Sequence, residues 1–239
     1  MEDDVNENTW EKQGSKMTTV VVEGDVVQIP EWATDLESFR RWADSNDFPE
    51  AGRICYLQGE VWVDLSKEQL FSHLQVKSKF NIVLGGLAEA EELGLYFPDG
   101  LLLTNLAADL SWKPDGTFVS AATLRTGLIR LVEGAEGGHV ELEGSPDMVL
   151  EVVSRSSVQK DYVTLRQAYW EAGIPEYWLI DAREEEIHFE ILIWRKGGYV
   201  AVTPDKGWLN SPVFGHRFRL TRKRDRRGAW KYTLAVKAL

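Results

Sequence analysis

Residues 146–154 read Pro-Asp-Met-Val-Leu-Glu-Val-Val-Ser, and this run limits the fold more than any other stretch. It is β-branched and apolar on both sets of alternating positions, the pattern of a strand buried in the middle of a sheet. Glu151 interrupts it. Alternate residues of a strand share a face, so Glu151 lies with Val149 and Val153. A carboxylate there is unfavourable unless it is paired or bound to a metal. Residues 113–119, Lys-Pro-Asp-Gly-Thr-Phe-Val, predict a second short strand, entered through Pro114 and carrying Asp115. Two carboxylates from adjacent strands, with a backbone carbonyl and waters, make an oxygen-rich Mg²⁺ site. Such an ion activates water and offsets charge developing on a phosphodiester. The competing reading is a structural glutamate paired with an arginine or a helix N-terminus, and pattern alone does not separate the two.

The rest of the chain supplies helices and further strands. Residues 1–18 are polar, lack periodicity and are expected to be disordered. Thr34 and Glu37 form a capping-box pattern ahead of Leu36, Phe39, Arg40 and Trp42. Alternating apolar residues over 53–65, turning at Gln58-Gly59, predict a hairpin. Ser66 with Gln69 opens a long helix whose apolar stripe is Leu70, Leu74, Phe80, Val83, Leu84 and Leu87, ending at Gly94. Strands follow at 94–97 and 101–104, and four glycines within 125–141 suit a flexible insertion or loop pair. Val158, Tyr162, Leu165 and Tyr169 mark a second helix, closed by Gly173. After it come strand patterns only: 176–180, 186–194, 198–203, 214–223 and 229–236. This order gives an α/β fold with a mixed β-sheet flanked by helices and a β-rich C-terminal extension. The expected divisions are a tail at 1–18, a domain at 19–195, and a β-hairpin extension at 196–239 packed on that domain.

Charge and composition narrow the function. The net charge of −11 argues against strong non-specific binding to nucleic acid, whose affinity comes mostly from neutralised phosphates. It leaves room for a local basic face. The C-terminal hairpin provides one: Arg217, Arg219, Arg222, Lys223, Arg224, Arg226, Arg227 and Lys231 face one acid, Asp225. Arg222, Arg224, Arg226 and Arg227 are the candidates for gripping a phosphate backbone, and the competing reading is a solvated hairpin that balances acids elsewhere. The single cysteine, Cys55, excludes an internal disulfide, and no apolar run approaches membrane-spanning length. With an acidic start in place of a signal peptide, the expected location is cytoplasmic. Glu60 follows a turn, His73 lies on the long helix, and Asp161 and Tyr169 share one face of the second helix; each also has an ordinary structural reading.

Residues 146–154, then Asp161, Tyr169 and the stretch Ala-Gly-Ile-Pro-Glu-Tyr-Trp-Leu-Ile-Asp at 172–181, closely resemble the Uma-two family. These are restriction-endonuclease-like proteins of the PD-(D/E)XK nuclease superfamily. The resemblance runs over about residues 53–195, with Glu60, His73 and Pro114-Asp115 at the family's early acid, helix histidine and "PD" strand. It implies a restriction-endonuclease-like fold, Asp115 and Glu151 as metal ligands and Glu60 as a third acid. It further implies endonucleolytic hydrolysis of DNA with Mg²⁺ or Mn²⁺, and, by analogy, a homodimer. The superfamily's lysine two residues after the acid is replaced by Val153, and the family's lysine on the following helix by Leu165. Lys160 and Arg166 are the nearby cations that could substitute. Without such a group the alternative is a catalytically degenerate member that binds nucleic acid or a protein without cleavage.

Overall fold

The structure, a computed structural model, describes residues 17–22, 25–49, 52–135 and 137–239. In chain order come β1 (Met17–Val22), β2 (Asp25–Pro30), α1 (Leu36–Ala43), β3 (Arg53–Leu57) and β4 (Glu60–Asp64). A π-helical turn, Leu70–Leu74, leads into α2 (Gln75–Ala90). Next are β5 (Gly94–Pro98), β6 (Leu102–Asn105), β7 (Leu110–Trp112), β8 (Gly116–Ser120), α3 (Ala121–Thr126), β9 (Ile129–Glu133), β10 (His139–Gly144) and β11 (Met148–Val152). A second π-helical turn, Lys160–Thr164, opens α4 (Leu165–Glu171). The chain ends with β12 (Glu176–Asp181), β13 (His188–Ile193), β14 (Val200–Ala201), β15 (Leu209–Ser211), β16 (His216–Arg224) and β17 (Trp230–Ala238).

The predicted central strand is β11. It lies inside a six-stranded mixed sheet of order β14-β13-β12-β11-β8-β5, parallel to β12 and antiparallel to β8. All five of its residues are buried. One face, with Val149 and Val153, packs on α4 through Leu165, Ala168 and Tyr169, and on the apolar side of a second sheet. That second sheet runs β4-β3-β7-β6-β10-β9. The other face, with Met148, Leu150 and Val152, packs on Val76, Phe80 and Leu84 of α2 and on the C-terminal sheet β15-β16-β17. Helix α1 covers the second sheet, placing Phe39 and Trp42 against Ile54 and Tyr56. No helix among the described residues is long and apolar enough to cross a membrane.

Several expectations need correction. Residues 1–16 of the expected disordered tail lie outside the described residues, while Met17 and Thr18 pair with Pro30 and Ile29 in a β1–β2 hairpin. The first helix is capped one residue later than Thr34, by a reciprocal box in which Asp35 accepts from the Ser38 amide. Residues 125–141 are not a loose insertion. They end α3 and form the β9–β10 hairpin, with Gly134, Gly137 and Gly138 confined to its turn. The long helix opens at Leu70 rather than Ser66, and as a π turn: Leu74 N–H bonds to Gln69 O and Gln75 N–H to Leu70 O. The extra residue in that turn shifts the helical phase by about 100°. Leu70 and Leu74 are therefore exposed, and the buried stripe begins at Val76 and passes through Phe80, Leu84 and Ala88. Beyond residue 195, Ile193 pairs with Val200, so the expected extension contributes β14 to the central sheet.

Candidate active site

Asp115 and Glu151 come together because β8 and β11 are neighbours. Asp115 directly precedes β8, and its Oδ2 accepts the Val152 amide at 2.8 Å, which ties the two strands beyond their last paired residues. Both carboxylates are buried, each 1% exposed. Their surroundings differ. Asp115 Oδ1 accepts from Arg53 Nη2 at 3.0 Å and lies 3.6 Å from Lys77 Nζ, while His73 Nε2 is 3.6 Å from Oδ2. Burial alone would raise this carboxyl, but Arg53, Lys77, His73 and the Val152 N–H together hold it below the usual aspartate range. Glu151 has one hydrogen bond among the described residues, accepted at Oε1 from the Tyr169 hydroxyl at 2.6 Å. Burial and the adjacent Asp115 charge push its carboxyl up to about 8. The Tyr169 phenol is in turn raised by burial and by Glu151.

An ionic web supports Asp115. Arg53, the first residue of β3, also reaches Asp99 Oδ1 at 2.9 Å. Lys77, in the first turn of α2, holds Glu68 and Asp99 at 2.6 Å each. The acids keep both cations charged: burial would lower the pKa of each, and the acids more than reverse that. In front of this web opens a cleft of about 790 Å³ lined by Arg53, Asp64, Lys67, Glu68, His73, Asp99, Lys113, Asp115 and Lys160 among others.

Lys160 enters the cleft through the second π turn. Its Nζ lies 3.0 Å from Asp161 Oδ1 and 4.8 Å from the centre of the Trp112 ring. Burial disfavours its charge, but Glu151 and Asp161 outweigh that and raise its pKa. Lys160 is thus close enough to Glu151 for each to shift the other. Asp161 is buried, raised by burial against the pull of Lys160, and hydrogen-bonded to the Ser157 hydroxyl. Leu165, the position where a helix lysine was expected, is fully buried in the core beside Val153.

The candidates named from sequence divide as follows. Asp115, Glu151, His73, Lys160, Asp161 and Tyr169 converge at the cleft or directly behind it. Glu60 does not. It is exposed and pairs with Leu57 at the hairpin turn, about 13 Å along the strand from Asp64, which opposes Arg53 at the cleft end. Arg166 also points elsewhere, donating from Nη2 to Tyr199 O at 3.2 Å. The four C-terminal arginines lie outside the cleft. Arg222 is committed to the Ala182 and Glu184 carbonyls. Arg224 stacks 3.9 Å over Trp230 and neighbours Glu185, and Arg227 neighbours Asp225. Arg226 is exposed. Sequence reasoning missed Arg53, Asp64, Glu68, Lys77 and Asp99. For Lys77 there was a signal, a lysine set between Val76 and Phe80 on the buried face of a helix.

Residues 36–221 match the profile of a family described as "Uma2: Putative restriction endonuclease". The chain belongs to the Uma2 family. Its fold is also that of a 1.96 Å crystal structure from Anabaena variabilis, described as a putative nuclease belonging to DUF820. That similarity has a TM-score of 0.55 at 17% identity and covers 75% of this chain and 90% of the other. No curated protein sequence matches the chain. The Uma2 match includes all the cleft residues named above and stops at residue 221, so the turn of the β16–β17 hairpin and all of β17 lie beyond it.

Proposed function

We propose that this Uma2 protein hydrolyses phosphodiester bonds in DNA with a divalent cation held by Asp115 and Glu151. The observation that carries the reading is that Glu151 is buried beside Asp115, directly behind a cleft that Asp115 and Lys160 line. The donor set fits Mg²⁺ or Mn²⁺. Glu151 has oxygen lone pairs that no hydrogen bond among the described residues fills, and burial together with the adjacent Asp115 charge raises its pKa. Among the described residues no group of three or more His, Cys, Asp or Glu side chains is arranged to hold a metal. Mg²⁺ needs none, since one or two carboxylates with water and substrate phosphate satisfy it. When bound, the ion supplies Lewis-acid stabilisation of phosphate charge.

The chain's own groups do the rest. Arg53 and Lys77 hold Asp115 ionised, and the Tyr169 hydroxyl fixes the orientation of Glu151. Lys160 stays protonated, so it acts as a charge-stabilising donor to the phosphate rather than as a base. One observation favours binding without cleavage: Arg53 already occupies Asp115 Oδ1. Incubating supercoiled plasmid with the protein and Mg²⁺ or Mn²⁺ decides between them. Nicking that disappears in the Asp115→Asn, Glu151→Gln double variant is expected. Equal nicking by that variant would remove the assignment.

A further inference from the structure

Positive charge is segregated in this chain. Residues 206–239 hold ten of the 27 Lys and Arg residues and one of the 38 Asp and Glu residues, so they carry +9 against −20 for the remainder. The β16–β17 hairpin sorts that charge by face. Phe218, Tyr232 and Leu234 turn inward and are buried. The alternate positions face solvent. There Arg217 lies opposite Lys237, Lys223 opposite Lys231, and Thr221 opposite Thr233, with Arg219 between. Like charges directly opposite across a strand pair are destabilising, yet this face carries two such pairs. The one ion pair found for these five cations among the described residues is Arg217 with the exposed Asp205, at 3.7 Å.

We infer that the solvent face of this hairpin binds the phosphate backbone of duplex DNA, through Arg217, Arg219, Lys223, Lys231 and Lys237. From Arg217 to Lys223 the strand extends about 20 Å, long enough to follow several phosphates. The face suits a duplex better than a single strand. Single-strand binding relies on free aromatic rings for base stacking, and here Trp208, just ahead of β15, and Trp230 of β17 are already covered. Arg219 and Lys237 lie 4.7 and 4.6 Å from the Trp208 ring, and Arg222 and Arg224 lie 4.2 and 3.9 Å from Trp230. The arginines at the hairpin tip are less available, because Arg222 clasps the Ala182 and Glu184 carbonyls and Arg224 and Arg227 neighbour acids. That clasp fixes the tip at the carboxyl end of β12. The cleft opens at the carboxyl end of β11, its parallel neighbour. DNA on the hairpin is thereby led toward Asp115 and Glu151.

The choice of DNA among polyanions rests on the nuclease reading, so binding and cleavage are measured apart. The full chain is titrated against a labelled duplex of random sequence in EDTA over a range of salt. The wild type is expected to bind, and Lys223→Gln with Lys231→Gln, Arg219→Gln and Lys237→Gln to weaken binding at least about tenfold. Removing one cation from a phosphate flattens the salt slope by about 0.9. Two controls guard against a folding defect. Lys223→Gln alone is expected to melt no lower than wild type, because it relieves a like-charge pair. The triple variant Lys223→Arg, Lys231→Arg, Lys237→Arg is expected to keep affinity. Unchanged affinity and slope in the quadruple variant would overturn the inference, as would tighter binding of single strands or equal competition by poly-glutamate. Wild type that binds duplex through these residues yet never cuts it with Mg²⁺ would refute the proposed function and leave this surface standing.

Discussion

Replacing Glu151 by Gln should stabilise the metal-free protein, and increasingly so as pH rises. The native glutamate keeps its proton up to about pH 8, because burial and Asp115 oppose its charge, whereas in the unfolded chain it ionises near 4.5. Between those values the native state binds more protons than the unfolded state, so its stability falls as pH rises. At about 1.4 kcal/mol per pH unit, the loss grows from about 1 kcal/mol at pH 5 to about 4 kcal/mol at pH 8. Gln preserves the volume and can still accept from Tyr169, and it does not titrate. Any constant effect of burying the amide drops out when the two proteins are compared across pH. Urea unfolding in EDTA at pH 5, 6, 7 and 8 measures the difference directly. Wild type should lose ground steadily to Glu151→Gln, and added Mg²⁺ should return part of that loss to wild type alone. A stability difference that does not change with pH would show that Glu151 is not the buried, proton-holding acid described above.

Other changes test neighbouring groups. Lys160→Met should lower cleavage about 10²–10³-fold, the usual effect of losing a transition-state donor, with Mg²⁺ affinity by calorimetry changed little; a comparable loss of metal affinity would make Lys160 a structural residue. Lys77→Met leaves Glu68 and Asp99 without their shared cation and removes one of the charges around Asp115, so it should destabilise by about 3–5 kcal/mol in denaturant unfolding. Tyr169→Phe removes the hydrogen bond to Glu151 and should cost about 1–3 kcal/mol. It should also move the alkaline limb of the Glu151-linked stability loss to higher pH, since an ionised Glu151 would lose its donor.

The parts of the fold that the sequence disclosed are those whose signal is local. The β3–β4 and β16–β17 hairpins alternate cleanly around short polar turns, and β11 is a continuous apolar run, so period and length identify them. The β9–β10 hairpin was hidden because the glycines of its turn outweighed the alternation in Ile129–Glu133. The division of strands between two six-stranded sheets was not legible, because it depends on long-range pairings such as β6 with β10. At the site, Asp115 and Glu151 were readable from their strands, as single carboxylates in apolar or proline-led runs. The cations around Asp115 were not. Arg53 and Lys77 come from a strand and a helix far apart in sequence, and only the assembled fold places both against one carboxylate.

Backbone geometry accounts for Lys160 at the cleft and Leu165 in the core. The family's spacing puts the expected lysine at residue 165, four residues after Asp161, and there Leu165 is fully buried in the core. The segment is not regular at that point. Lys160–Thr164 is a π turn, in which Leu165 N–H bonds to Lys160 O five residues back. A π turn adds a residue and so rotates the side chains on its N-terminal side relative to those on its C-terminal side. The helix after it can therefore keep Leu165, Ala168 and Tyr169 against the core while Lys160, ahead of it, faces the cleft beside Asp161. The same device operates at Leu70–Leu74, where it buries His73 against Asp115 and carries Lys77 to the same carboxylate. Two insertions in two helices thus bring three basic side chains to one pair of acids. A single-residue deletion within 162–164 that restored α-helical spacing would turn Lys160 out of the cleft. It should therefore reduce cleavage as severely as Lys160→Met does, even with the lysine still present.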